Sequence, residues 1–237
     1  MAALDVTRSD RIVFDLGADE LRALNAALQG LEGATNETAW TILNPRGAHA
    51  LCVGITQPIE VMVDGHAGYY CGGMNDGAAI TITGNAGPGV AENMMSGRVH
   101  VMGDASHAAG ATAHGGLLLI EGNAAARCGI SMKGVDIVVK GSVGHMSAFM
   151  AQSGNLVILG DAGEALGDSL YEAQIFVRGS VKSLGADCEE KPMTEEARAV
   201  LEHLLREAGV NVPVSAFKRY GSARTLYHFH VDNAGAY

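Results

Sequence analysis

Short alternating runs of apolar and polar residues recur along the middle of the chain, and each ends on a glycine. The run AITIT stops at Gly84 and RVHVM stops at Gly103, 19 residues later. Stepping by 19 in both directions gives Gly65, Gly84, Gly103, Gly122, Gly141, Gly160 and Gly179, seven glycines without an insertion between them. Four residues before each stand Val61, Ile80, Val99, Leu118, Ile137, Leu156 and Ile175. Two residues before stand Val63, Ile82, Val101, Ile120, Val139, Ile158 and Val177. The position immediately before the glycine is mostly polar: Asp64, Thr83, Met102, Glu121, Lys140, Leu159 and Arg178. This period of two predicts a strand with one buried face in every repeat.

After the glycine comes a turn residue, His66, Asn85, Asp104, Asn123, Ser142, Asp161 or Ser180, and then a small apolar one. Three and seven positions after it the chain carries mostly Gly and Ala, which lets the backbone bend or approach its neighbour closely. One strand per 19 residues with the same columns each time predicts an all-β core, a right-handed parallel β-helix of about seven coils. The coils would stack at about 4.8 Å each, with the aliphatic columns as continuous interior ladders. A doubly wound α/β sheet would need helical crossovers, and the glycine-broken segments between these strands are poor in helix formers.

A solenoid has open ends that need caps. In residues 1–40, "GADELRALNAALQGL" spaces Leu21, Leu24, Leu28 and Leu31 on one helical face, with Asp19 and Glu20 in the first turn. "TAWTILNPRGAHALCVGITQP" then reads as an irregular lead-in to the β-helix of residues 41–190. In residues 191–237, "TEEARAVLEHLLREAG" predicts a second capping helix from Thr194 to Gly209. The extended tail after it holds Phe217, Tyr220, Tyr227, Phe229 and Tyr237, and it must lie either on this solenoid or on another subunit.

Composition narrows the function. The 32 glycines are about twice the usual share of roughly 7%, with only 5 prolines, so they belong to a folded array. A formal charge of −10 argues against nucleic acid as a partner. The start of the chain lacks the apolar core of a signal peptide, and no run approaches the roughly 20 apolar residues of a membrane span. With Cys52, Cys71, Cys128 and Cys188 widely spaced, the expectation is a cytoplasmic protein with reduced thiols.

Candidate chemistry is sparse. No GxxxxGKS/T, GxSxG or HExxH motif occurs, and "GNAGPG" follows a strand without opening a helix. No CxxC pair is present, which disfavours a zinc or iron–sulfur site on this chain. Cys71 and Cys128 share a column three coils apart, and Cys52 would stack beneath Cys71. His107 and His145 share a column two coils apart, too far for one metal ion. His228 and His230, with Asp232, would point to one face of a strand and could bind a metal, although a docked tail explains them as well. Asp64 and Glu121 are the outward carboxylates of the column before the glycine, three coils apart. Tyr69 and Tyr70 sit at a corner beside His66 and are candidates for a partner contact or for simple packing. No residue is assigned a catalytic, cofactor-binding or metal-binding role.

The recurring G-x-x-G-x-x-x-G, intact at Gly65, Gly68 and Gly72 and again at Gly160, Gly163 and Gly167, resembles the GXGXG β-helix domain. That domain forms the C-terminal part of the large subunit of glutamate synthase and also occurs as the C subunit of formylmethanofuran dehydrogenases. The resemblance covers about Thr41 to Asp187, and "GNAGPGVAENMMSG" and "GDASHAAGATAHGG" match successive coils well. Ser106, Ala125 and Lys182 depart from it at the second glycine. Together with the short N-terminal helix and the tail, it is most similar to the separate β-helix subunit of N-methylglutamate synthase. The resemblance implies a non-catalytic scaffold between a class II glutamine-amidotransferase-like subunit and an FMN-containing synthase subunit with an iron–sulfur cluster. The alternatives are the C subunit of a formylmethanofuran-type one-carbon complex and, third, a self-contained β-helix enzyme with a groove site.

Overall fold

The computed structural model describes residues 11–33 and 38–224. The core is a parallel β-solenoid. Strands β1 (Ile12–Asp15) and β2 (Ala39–Leu43) lead into seven strands at the 19-residue spacing: β3 (Glu60–Val63), β4 (Ala79–Ile82), β5 (Arg98–Val101), β6 (Leu117–Ile120), β7 (Lys133–Val139), β8 (Ser153–Ile158) and β9 (Gln174–Val177). Each pairs in parallel with the next, Val61 opposite Ile80, Ile80 opposite Val99, and so on to Leu156 opposite Ile175. The two aliphatic columns are fully buried along the whole stack. A second parallel ladder joins Ala67, Ala86, Ala105, Ala124, Val143, Ala162 and Val181, two positions after each glycine. We number the coils 1 to 7 by their glycines, Gly65 to Gly179.

The glycine column is required by space. Only Gly65 of the seven has a positive φ, +139°. A Cβ on Gly84 would lie 2.6 Å from His66 Nδ1 and 2.8 Å from the Gly65 carbonyl oxygen; one on Gly141 would lie 2.5 Å from Asn123 Oδ1 and 2.6 Å from the Gly122 oxygen. Those atoms are fixed by a second device. The turn side chain of each coil accepts a hydrogen bond from the N–H of the same position one coil on. The Asn85 N–H donates to His66 Nδ1, Asp104 to Asn85, Asn123 to Asp104, Ser142 to Asn123, Asp161 to Ser142, and Ser180 to Asp161, all at 2.7–2.9 Å. The short polar side chains of this column are therefore cross-links between coils.

In coils 1–6 the residues five, seven and nine after the glycine take left-handed φ, including large side chains: Tyr70 (61°), Arg127 (61°), Met146 (55°), Met74 (54°) and Met150 (52°). Left-handed backbone costs about 1–2 kcal/mol for a residue with a Cβ. Here it turns alternate N–H groups toward opposite neighbours. Gly89 donates to His107 of the next coil, Ala91 to Cys71 of the preceding one, and Asn93 to Ala111 of the next. Three inter-coil ladders hold these angles in place, each bond offsetting part of the strain.

The ends close by different means. Helix α1 (Leu21–Gln29) buries Leu24 and Leu28 in the main core at the lead-in end of the stack; Asp19 lies before the helix and Glu20 is its N-cap residue, so neither is in the first turn. Asn25 takes the place of a missing coil: its Nδ2 donates to Ala50 O (2.7 Å) and its Oδ1 accepts from Cys52 N–H (3.0 Å). The segment read as an irregular lead-in forms β2 in register with β3, and Arg11 fastens β1 to it through Thr41 Oγ1 and Trp40 O.

At the other end α2 (Glu195–Glu207) starts at Thr194, whose hydroxyl accepts from Ala197 N–H at 3.2 Å, and Gly209 follows it at φ +64°. The helix lies on the outside of the strands, where Ala197, Leu201, Leu204 and Leu205 meet Leu119, Val138, Val157 and Phe176. Those four occupy the position three before the glycine, which is Met62, Thr81 and His100 in coils 1–3 and apolar from coil 4 onward. The final strand β11 (Lys218–Ser222) runs antiparallel between β9 and β10 (Cys188–Lys191) and ends the parallel stack. Phe217 and Tyr220 of the aromatic tail are buried on this chain; Tyr227, His228, Phe229, His230, Asp232 and Tyr237 lie outside the described residues.

Candidate functional surface

The four cysteines are unpaired and buried. Burial pushes the thiols of Cys52 and Cys128 up to about 12 and that of Cys188 to about 11, so none is a ready nucleophile. Burial, with a contribution from Cys52, also holds the Cys71 thiol well above its ordinary value. Among the described residues no group of three or more His, Cys, Asp or Glu side chains could hold a metal ion. His107 and His145 stay exposed and two coils apart. A shallow depression runs along α1 from Glu20 to Gln29, lined by that helix and its N-cap residue.

The outward strand face carries two polar clusters. Glu121 joins His100 Nε2 at 2.9 Å and Lys140 Nζ at 2.8 Å across three coils. Burial raises its carboxyl, but the hydrogen bonds and charges of Lys140 and His100 outweigh that and hold it below the usual carboxylate range. Asp64, the other outward carboxylate, accepts from Thr83 Oγ1 at 3.3 Å. The structure does not bring the two acids together.

Beside α2 runs a ladder in which Asn155 Nδ2 donates to Asp136 Oδ1 (2.7 Å), Gln174 Nε2 to Asn155 Oδ1 (3.4 Å) and Arg219 Nε to Gln174 Oε1 (2.8 Å). Burial raises the Asp136 carboxyl; the Asn155 hydrogen bond and the charge of His203 offset it only in part. A raised folded pKa means that the ionised form opposes folding above it, a penalty relieved as pH falls through that pKa. Asp136→Asn should therefore be at least as stable as the parent at pH 7, with any advantage shrinking on acidification. Denaturant midpoints measured from pH 7 to pH 4 read this directly.

The corner of coil 1 is aromatic. His49 Nδ1 accepts from Tyr69 N–H at 2.9 Å, and the Tyr69 and Tyr70 rings lie 5.5 Å apart. Tyr70 lies across Gly73, where a Cβ would strike its ring, and Asn93 Nδ2 donates to its hydroxyl at 3.4 Å. His66 is committed to the turn ladder. The left-handed columns and the apolar position under α2 were not anticipated from sequence; only the latter had a signal there, the change from Thr81 and His100 to Leu119 and Val138.

Fold and surface together define a glycine-laddered parallel β-solenoid whose side chains are spent chiefly on joining coils. The model of the GXGXG motif family matches residues 48–207, from the lead-in turn before coil 1 through the last residue of α2, and the chain belongs to that family. It is 62% identical over 226 residues to Protein GlxC of Rhizobium meliloti (strain 1021), covering 95% of this chain and 99% of that protein. No helix among the described residues is long and apolar enough to cross a membrane.

Proposed function

We propose that this chain is a non-catalytic subunit of a glutamate-synthase-like complex, a stiff spacer between an amidotransferase-like subunit and an FMN-binding synthase subunit. The complex forms glutamate or, by the finer reading, N-methylglutamate from glutamate and methylamine. The observation that carries this is the family match across the solenoid and α2, on a chain whose repeated polar positions serve inter-coil hydrogen bonds. Ladders of this kind stiffen the stack along its axis and suit a role in holding neighbours at fixed spacing. FMN and the iron–sulfur cluster are assigned to the partner; the cysteines here are dispersed along the stack, and among the described residues they form no group of three or more ligands of the kind a cluster needs.

The test is native purification followed by mass spectrometry and an activity assay. The expected result is co-purification with an amidotransferase-like and an FMN subunit, and amine-transfer turnover only in the assembled complex. Turnover by the isolated chain would sink the reading. Co-purification with an amidohydrolase-like subunit would replace it by the one-carbon alternative.

A further inference from the structure

The residues five to nine after each glycine build a second broad side of the solenoid, away from the strands. Positions six and seven point into the core, as Cys71, Val90, Ala91, Ala109 and Cys128 show. In coils 1–6 positions five, eight and nine carry the side chains that reach the outside, apart from the buried Gly73, Gly89 and Ala111, and their identities vary from coil to coil in an ordered way. Coil 1 presents Tyr70 and Met74, with Tyr69 at the edge; Tyr69 and Met74 are 49% and 47% exposed. Coil 3 carries only small side chains there, Ala108, the buried Ala111 and Thr112, a low centre. Coil 5 presents Met146, Phe149 and Met150, the last 42% exposed.

Between them stand two charges of opposite sign, Glu92 on coil 2 and Arg127 on coil 4. The Glu92 carboxylate sits above Gly89, where a Cβ would lie 2.6 Å from its Oε2, and near the Tyr69 ring. Partial burial raises its pKa. Arg127 is exposed. Neither enters an ion pair among the described residues. They are two coils apart, about 10 Å of stack, so they do not pair within one chain.

We propose that this face is an isologous interface between two copies of the chain, packed face to face with solenoid axes antiparallel about a two-fold axis crossing coil 3. That axis lays coil 1 of one copy over coil 5 of the other, so Tyr69, Tyr70 and Met74 meet Met146, Phe149 and Met150. It lays coil 2 over coil 4, so each Glu92 meets an Arg127. The small side chains of coil 3 let the backbones approach at the centre. Charge selects this arrangement over parallel axes, which would set Glu92 against Glu92 and Arg127 against Arg127. A self-complementary patch is what a two-fold interface requires.

The inference does not rest on the proposed enzyme complex, and its test is separate. Sedimentation velocity on the full-length chain up to about 100 μM, the weak end suited to a small interface, should show a concentration-dependent dimer. Glu92→Arg or Arg127→Glu alone should weaken it at least roughly tenfold, and the double reversal should restore it. Circular dichroism of each variant confirms that the fold is kept. A monomer throughout that range, or single reversals that leave the dimer unchanged, would overturn the proposal in favour of a hetero-partner or a bare face.

Discussion

Gly141→Ala should destabilise the chain by about 3 kcal/mol, whereas Gly209→Ala should cost only about 1 kcal/mol. The two glycines differ in what surrounds them. At Gly209 nothing lies within 4 Å of the added carbon, so only the φ of +64° is strained. At Gly141 the carbon would lie 2.6 Å from a backbone carbonyl oxygen of coil 4 and 2.5 Å from the Asn123 amide that accepts from Ser142 N–H. Relief requires coils 4 and 5 to separate, which also weakens the bond from Gly141 N–H to Gly122 O. Chemical denaturation checks the magnitude. Hydrogen exchange checks the mechanism, since the Ser142 amide should exchange faster in Gly141→Ala than in the parent. Equal losses for the two variants would show that glycine is kept here for its φ and not for space.

The second large effect is expected on the outside of the sheet. Phe176 is fully buried between β9 and α2, and Phe176→Ala should cost about 3–5 kcal/mol. Thr81→Ala, two coils before the covered stretch and at the equivalent position, should stay within about 0.5 kcal/mol. The readout that separates the two is limited proteolysis: loss of Phe176 should expose the connection around Pro192 and Met193 while the coils stay resistant. Cleavage inside coils 1–3 instead would mean that α2 braces the whole solenoid.

Both expectations reflect how stability is distributed. Strand pairing and the turn hydrogen bonds run from each coil to the next, so a wedge acts locally, and α2 adds a lateral brace to β6–β9. Among the described residues, the outer strand face around Met62, Thr81 and His100 lies outside the apolar seat of α2, and the side bearing Tyr69, Glu92 and Arg127 lies away from the strands.

Sequence alone determined the solenoid. A parallel stack places like positions above one another, so the 19-residue repeat of Gly84, Gly103 and their kin, with Ile80 and Ile82 inward, is at once a chemical pattern and a geometric one. Both helices were legible for the usual reason, an apolar stripe between a start and a stop signal, although α1 begins after Asp19 and Glu20. Where α2 docks was not, because its stripe says that it packs and not against what; Leu119, Val138, Val157 and Phe176 become its partner only once the coils are stacked. The left-handed backbone at Tyr70, Arg127 and Met146 was equally hidden, since those residue types avoid it and only N–H groups bonded to neighbouring coils impose it. The placing of β11 between β9 and β10 depends on an edge that exists only after the last coil has formed. Periodic local chemistry fixed the stack; contacts between segments distant in sequence decided its braces, its closure and the faces it presents.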